Sequence, residues 1–295
     1  MLSLVTLALG LAATVSAVPL GPGNTTLHHA RAASTLFPVD QGSKSWTVSK
    51  GQSGALPLSD DTFRPFNEIK DLTHDYVSAP DGVLSMEAVY PKGSFKPSAS
   101  PRGGITFYAP GPASVDLTTA KEATLSYTVL FEEGFDFNKG GKLPGLCGRR
   151  QQRQGGGRVL GRPARHRLLL RAVHVAAGGA GELYTYLPPG IDANTKVCSV
   201  PPQSECNDVF GQSVGRGAFS FTPGTRATIG QRVRLNDVGQ ENGELELFVT
   251  GRAYAGRIRG IQMQTFFGGS DSSWASPKEQ HVYFSDFSVA ITEAL

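Results

Sequence analysis

Cysteine is scarce in this chain, and long helical patterns are missing. The 295 residues include only three cysteines, Cys147, Cys198 and Cys206. None of their spacings matches a zinc site, so no metal site is expected from them. Cys198 and Cys206 bracket a short loop and could close a local disulfide, which leaves Cys147 without a partner.

After the first 17 residues, no apolar run is long enough to cross a bilayer. Residues 1–17 are apolar and end in Val15-Ser16-Ala17, the small-x-small pattern of a signal-peptide cleavage site. Residues 18–35 are interpreted as a linker or pro-segment, and they contain the glycosylation sequon Asn24-Thr25-Thr26. These features predict a secreted, extracellular protein without a membrane partner.

A basic surface is also missing, although the formal net charge is +3. Eight of the 28 Lys and Arg residues lie between Arg149 and Arg171, a window without any acidic residue. Outside that window 20 basic residues stand against 25 acidic ones, so the rest of the chain is mildly acidic. This distribution argues against a nucleic-acid partner.

Turn-forming residues and short alternating runs dominate what is present. The chain contains 36 Gly and 19 Pro, and its apolar residues alternate with a period of two. This pattern predicts an all-β jelly-roll sandwich of two antiparallel sheets, formed as one domain by residues 36–293. Strands are predicted at residues 84–90, 105–110, 123–131, 227–236, 244–249, 261–267 and within 282–291.

Three polar residues suit proton transfer beside a carboxylate. Lys142 lies in a loop framed by Gly and Pro, just after a predicted strand. Tyr184 and Tyr186 are two apart in a short strand, so both hydroxyls project from one sheet face. A lysine can offset a carboxylate charge, and a tyrosine can give and take protons. Taken alone, a solvated lysine and an ordinary aromatic strand face explain these residues equally well.

The segment 149–177 differs in composition from the rest of the chain. It is dense in Arg, has no acidic residue and fits neither a strand nor a capped helix. One interpretation is a disordered basic loop. The other is a frame-shifted translation, because GC-rich codons read one nucleotide later can restore acidic residues and cysteines. The shifted frame also ends in an alternating strand that runs into the two tyrosines.

Five stretches together resemble polysaccharide lyase family 14, the alginate and glucuronan lyases of jelly-roll fold. The resemblance covers most of the chain from about residue 80 onward. It is carried by FEEGFDFNKGGKLPGLCG (131–148), GELYTYLPPG (181–190), FGQSVGRGAFSFTPG (210–224), QRVRLNDVGQENGELELFV (231–249) and IQMQTFFGGSDSSWASPKEQ (261–280).

The resemblance implies cleavage of a uronic-acid polymer, glucuronan or alginate, by β-elimination without a cofactor. It assigns the catalytic lysine to Lys142 and the tyrosine pair to Tyr184 and Tyr186. The family also uses a serine and a basic residue two apart on the preceding strand. The matching positions hold Leu170 and Ala172, where the shifted frame gives serine and arginine. As printed, the chain therefore lacks two of the implied catalytic groups.

The resemblance implies an acidic polysaccharide as the partner, and the protein is expected to be a monomer. Three further residues are candidates for binding this polysaccharide. Gln262 and Gln264 share one strand face and could bind sugar hydroxyls, or they could form the wet face of a sheet. Trp274 could stack on a sugar or fill a loop. A carbohydrate-binding jelly roll without catalysis is the alternative function.

A glycoside hydrolase on the same architecture is a weaker alternative, because its reaction needs two carboxylates at a defined separation. Glu132, Glu133 and Asp136 are the nearest candidates, but Glu133 lies beside a turn and has no acidic partner at such a spacing.

We expect the messenger RNA across the codons for Cys147 to Glu182 to read in the frame displaced by one nucleotide. That frame places serine at position 170 and arginine at position 172, which the family pattern requires. Sequencing the transcript tests this directly. A transcript that encodes the printed residues would contradict the frame shift and make the basic segment a genuine part of the chain.

Overall fold

Two antiparallel β-sheets pack face to face around a large apolar core. The structure, a computed structural model, describes residues 36–69, 71–148, 169–187, 192–207, 211–237, 240, 243–249 and 261–295. All of them belong to one compact unit, Arg31–Leu295. The predicted signal peptide, residues 1–17, and the predicted linker, residues 18–35, lie outside the described residues.

The first sheet has seven strands and carries the longest strands of the protein. Its order is β13 (Glu244–Val249), β12 (Arg226–Arg234), β5 (Ala120–Phe131), β15 (Gln280–Ala294), β3 (Leu84–Tyr90) and β2 (Asp75–Ser78), with β1 (Lys44–Thr47) also paired to β15.

The second sheet has eight strands and carries the candidate site residues. Its order is β10 (Glu205–Asn207), β11 (Gly211–Ser220), β9 (Ala180–Thr185), β8 (Leu169–Ala176), β6 (Gly140–Lys142), β14 (Ile261–Phe267) and β4 (Ile105–Ala109), with β7 (Gly145–Gly148) paired to both β14 and β8. Short helices lie at α1 (Asp60–Phe63) and α2 (Asp192–Thr195), and 3-10 turns at Leu117–Thr119, Ala177–Gly179, Lys196–Ser199 and Ser272–Trp274.

Alternating side chains from both sheets meet in the core. In β5, Leu125, Tyr127 and Val129 are fully buried, because every second residue of a strand faces the opposite sheet. The second sheet contributes buried residues such as Val173 and Met263 to the same cluster. The predicted all-β sandwich of two antiparallel sheets is therefore confirmed. We call the side of the eight-stranded sheet that faces away from this core its outer face.

The prediction that Lys142 lies in a loop is wrong, because Lys142 ends strand β6. Two glycines make this strand possible. A Cβ atom at Gly140, whose φ is +102°, would lie 1.9 Å from the carbonyl oxygen of Val175. A Cβ atom at Gly141 would lie 2.3 Å from the carbonyl oxygen of Phe266. The neighbouring backbones approach so closely that only glycine fits, and the sequence therefore shows no alternation here.

The end of the basic segment is a strand. Residues 169–176 form β8, which pairs with β6, β7 and β9, and residues 177–179 form the 3-10 turn that follows. The interpretation as a disordered loop therefore applies at most to residues 149–168, which lie outside the described residues. The frame-shift interpretation stays a prediction.

The local disulfide is confirmed. Cys198 and Cys206 are bonded, with 5.5 Å between their Cα atoms, while Cys147 is free. The bridge ties the 3-10 turn Lys196–Ser199 to β10, the edge of the eight-stranded sheet.

Within the described part of the chain, no helix has the length and apolarity to cross a bilayer.

Candidate active site

The outer face of the eight-stranded sheet brings the predicted lysine and tyrosines together. Lys142 on β6 stands opposite His174 on β8 and opposite Phe266 on β14. Tyr184 and Tyr186 lie on the next strand, β9, or directly after it, and alternate with the core residue Leu183. Register and alternation thus place these side chains on one surface, as the spacing of the tyrosines predicts.

Lys142 and Tyr186 are in direct contact. The Nζ atom of Lys142 donates a hydrogen bond of 2.9 Å to the Oη atom of Tyr186. The same ammonium lies 5.2 Å from the ring centroids of both Tyr186 and Phe266, within cation–π range. Burial lowers the pKa of Lys142 to about 8 and raises the pKa of Tyr186. The tyrosine is therefore a neutral phenol near pH 7, beside an ammonium that loses its proton readily.

Tyr184 is held between two rings. It stacks on His174 with 4.1 Å between ring centroids and 8° between planes, and it meets the edge of Tyr186 at 5.4 Å. Burial first, and then the negative groups nearby, raise the pKa of Tyr184 to about 12, although Arg216 opposes this shift. Stacking fixes the plane of the Tyr184 ring and hence the position of its hydroxyl.

A buried carboxylate, not predicted from the sequence, lies next to Tyr184 on the same face of β9. Glu182 is only 3% exposed and accepts hydrogen bonds from Ser213 Oγ at 2.6 Å and Arg216 Nε at 2.5 Å. Its other oxygen is 3.7 Å from His174 Nδ1. Burial, followed by the charges of Lys142 and Arg216, lowers the pKa of His174 well below its usual value. The histidine is therefore neutral near pH 7, and Arg216 balances the Glu182 charge.

His174 also contains a buried polar atom with no partner. Its Nε2 makes no hydrogen bond to any of the described residues. The side chain is 14% exposed and lies between Lys142 and Glu182 on adjacent strands. A signal for this residue was present in the sequence, because His174 stands between Val173 and Val175 in an alternating run. The unusual composition of the surrounding segment obscured it.

Gln262 and Gln264 occupy the same outer face, three strands away from the tyrosines. They alternate with buried Ile261, Met263 and Thr265, as predicted. The Nε2 atom of Gln262 donates a hydrogen bond of 3.0 Å to Oε1 of Gln264. Gln262 is buried and Gln264 is partly exposed, so the amide of Gln264 is the more accessible of the two.

The structure does not bring Trp274 onto this face. Trp274 ends a 3-10 turn in the loop after β14. Its ring covers Gly269, where an added Cβ would lie 1.9 Å from the indole, and the Lys139 ammonium lies 5.6 Å from the ring centroid. These contacts fit the interpretation in which Trp274 fills a loop. Its predicted role in sugar binding stays a prediction.

Positions 170 and 172, where the resemblance implies a serine and a basic residue, lie on strand β8 beside β9. The backbone of Ala172 pairs with Tyr184, and that of Leu170 pairs with Cys147 on β7. Residues at 170 and 172 therefore adjoin the tyrosines in the sheet register.

Among the described residues, no group of three or more His, Cys, Asp or Glu side chains could hold a metal ion.

Comparison with known proteins identifies the family of this chain. The family model described as polysaccharide lyase 14 matches residues 79–287. The chain belongs to the polysaccharide lyase 14 family. Lys142, both tyrosines and the two glutamines lie inside the matched range, whereas Phe66 and the rest of the segment before residue 79 lie outside it.

Solved structures support the family fold. The crystal structure of the marine PL-14 alginate lyase from Aplysia kurodai shares 26% sequence identity with this family member, with a TM-score of 0.66. The match covers 84% of this chain and 98% of that one. An alginate lyase from Chlorella virus shares 21% identity at a TM-score of 0.50, covering 75% and 89% of the two chains, which is a likeness of fold. No match was found among curated protein sequences.

In this lyase-family site, Lys142→Met should stabilise the folded protein by about 1–2 kcal/mol near pH 7. The pKa of Lys142 in the fold, about 8, lies below its usual 10.5, so its charge destabilises the native state. The loss of folding stability caused by this charge is complete below pH 8, where Lys142 is charged in both the folded and the unfolded protein. It disappears as the pH rises toward 10.5. Loss of the hydrogen bond to Tyr186 offsets part of the gain.

Urea unfolding at neutral pH and near pH 10.5 measures this difference. The exposed Lys92→Met change is the matched control, which should alter stability little at either pH. A Lys142→Met protein that is less stable than the parent at neutral pH would show that the ammonium stabilises the fold.

Proposed function

We propose that this protein is a secreted lyase that cleaves a uronic-acid polymer by β-elimination. The observation that carries the proposal is the contact between Lys142 and Tyr186 on an outer sheet face that also holds Tyr184. An ammonium beside a phenol suits abstraction of a proton from a carbon next to a carboxylate. The reaction requires no oxidant or reductant.

The reaction begins with the carboxylate at C5 of a uronate. Lys142 pairs with this carboxylate and, by neutralising it, makes the C5 proton more acidic. A tyrosine removes that proton, the electron pair forms the C4–C5 double bond, and the C4–O4 bond breaks. The departing O4 takes a proton from a tyrosine. The products are a new chain end on O4 and an unsaturated uronate.

Tyr186 is the better placed of the two tyrosines to act as the base. Burial keeps it protonated in the free protein, and the Lys142 ammonium at 2.9 Å would stabilise its phenolate once the proton leaves. Tyr184, stacked on His174, is then the neutral phenol that protonates O4. Both groups must come within hydrogen-bonding reach of the sugar for these roles.

An acidic polysaccharide is the substrate class that best suits this surface. Lys142 and Arg216 contribute two cations near the tyrosines, and Glu182 and the exposed Glu205 both act on Arg216. Lys142, which has no ion pair with any described residue, is the cation that a substrate carboxylate can reach. The similar protein from Aplysia kurodai is an alginate lyase, which supports alginate as one candidate polymer alongside glucuronan.

The N-terminal apolar run, the sequon and the disulfide support secretion into an oxidising compartment.

Carbohydrate binding without catalysis is the second candidate. The observation that favours it is the presence of Leu170 and Ala172 where the family carries a serine and a basic residue. Such a protein would bind polyuronates and release no unsaturated ends.

Protein recovered from the culture medium, beginning at Val18, should release products that absorb in the ultraviolet from polyglucuronate or alginate. Lys142→Ala should lower this rate by about 10²–10³-fold, because the substrate carboxylate then loses its cation. The exposed Lys92→Ala change is the control and should keep the parent rate. Reducing ends without ultraviolet absorbance would indicate hydrolysis, and binding without either signal would indicate the second candidate.

Restoring the two missing groups should raise the activity. The double variant Leu170→Ser/Ala172→Arg should increase kcat/KM by about ten- to a hundredfold, since a charge-assisted contact contributes about 1.5–3 kcal/mol. Leu170→Ser/Ala172→Gln is the matched control, because glutamine has a polar side chain without the charge. Equal rates for the arginine and glutamine variants would remove the cation at position 172 from the mechanism.

A further inference from the structure

One large aromatic side chain stands exposed at the end of the site sheet. Phe66 is 49% exposed, while the neighbouring Phe63 is completely buried. Phe66 follows helix α1 and precedes residue 79, where the match to the family model begins. This aromatic group is therefore supplied by a segment outside the family match.

The segment that carries Phe66 is pinned to the sandwich. Phe63 packs edge-on against Trp46 and Phe287 in the core, with ring centroids 5.8 and 5.0 Å apart. Arg64 donates a side-chain hydrogen bond of 3.2 Å to the carbonyl oxygen of Gly111. Phe66 itself forms a two-way backbone bridge with Tyr108, with N–O distances of 2.9 and 3.0 Å. The exposed ring is thus held in a defined place.

Phe66 and Tyr108 form one aromatic surface. Their ring centroids are 5.6 Å apart and their planes are tilted by 32°. Tyr108 alternates with buried Phe107 and Ala109 on β4, so its ring lies on the outer face. In the register, Tyr108 stands opposite Gln262. The pair therefore continues the surface that bears both glutamines.

The register connects this surface to the tyrosines by a path across the strands. Tyr108 pairs with Gln262, and Gln262 pairs with Gly145 on β7. Two residues further along β7, Cys147 pairs with Leu170 on β8. The next residue of β8, Arg171, pairs with Thr185, which directly precedes Tyr186. Four strand spacings and a two-residue offset separate Tyr186 from Tyr108 by about 20 Å. A polymer chain crossing the strands can span this distance, whereas a single sugar cannot.

We infer that Phe66 and Tyr108 form a distal subsite that stacks against a sugar ring of the bound polyuronate. This inference rests on the proposed function, because it takes the same polymer as ligand. An exposed aromatic face offers the C–H surface of a sugar ring an apolar, shape-matched partner. Two rings are far too small for a stable protein interface, which buries roughly 800 Å² on each partner. The paired amides of Gln262 and Gln264 lie between this subsite and Lys142.

The test compares affinity as a function of chain length. Calorimetric titrations use oligosaccharides of glucuronan and of alginate, from the disaccharide to the polymer, in a Tyr186→Phe background that prevents cleavage. Adding Phe66→Ala should weaken binding about three- to tenfold for chains long enough to reach from Tyr186 to Phe66. The affinity for the disaccharide at the Lys142 site should not change. Phe66→Tyr keeps the ring and should keep the affinity.

The control is Val83→Ala, which trims an exposed apolar side chain before β3 and should leave all affinities unchanged. If the Tyr186→Phe protein binds long chains equally well with and without Phe66→Ala, the subsite is overturned. The subsite is also overturned if the Tyr186→Phe protein binds neither polymer. Weaker binding by Phe66→Ala, together with a wild-type protein that forms no ultraviolet-absorbing product, would support the subsite while refuting the lyase.

Discussion

The close approach of three backbones at Gly140 and Gly141 is the constraint on which the site depends. Without a Cβ atom, these residues let β6 lie between β8 and β14, against the carbonyl oxygens of Val175 and Phe266. The strand then delivers Lys142 to the outer face beside Tyr186. A side chain at either glycine would push the strands apart and carry the ammonium away from the phenol.

Burial of this ammonium has an electrostatic consequence for the whole face. Lys142, His174 and Glu182 stand side by side on three neighbouring strands, and Arg216 closes the row by binding Glu182. Since the histidine is neutral, the cations on this face are Lys142 and Arg216, and both Glu182 and the exposed Glu205 act on Arg216. Lys142 has no ion pair with any of the described residues, and burial lowers its pKa to about 8. An arriving carboxylate would relieve that unfavourable burial, so the site is prepared for an anion.

The parts of the structure that follow a period of two were predictable from the sequence. Alternation and spacing placed Tyr184 and Tyr186 on one face, and the apolar runs predicted the sandwich. Lys142 was misplaced because glycines have no side chains to alternate. Arg216 was missed because β11 changes register between Val214 and Phe219, so parity alone does not place it. Phe66 was missed because a single bridge to Tyr108 has no period at all.

Strand β8 shows how fold and chemistry can depend on different residues of one element. Its contribution to the core comes from Val173 and Val175, both buried between the sheets. The shifted frame gives phenylalanine and tryptophan at these two positions, so an apolar core side persists in either frame. The resemblance instead places a serine and a basic residue at positions 170 and 172, and the second of these pairs with Tyr184 in the register. Sheet pairing and core packing can therefore persist while the catalytic groups on the same strand are lost.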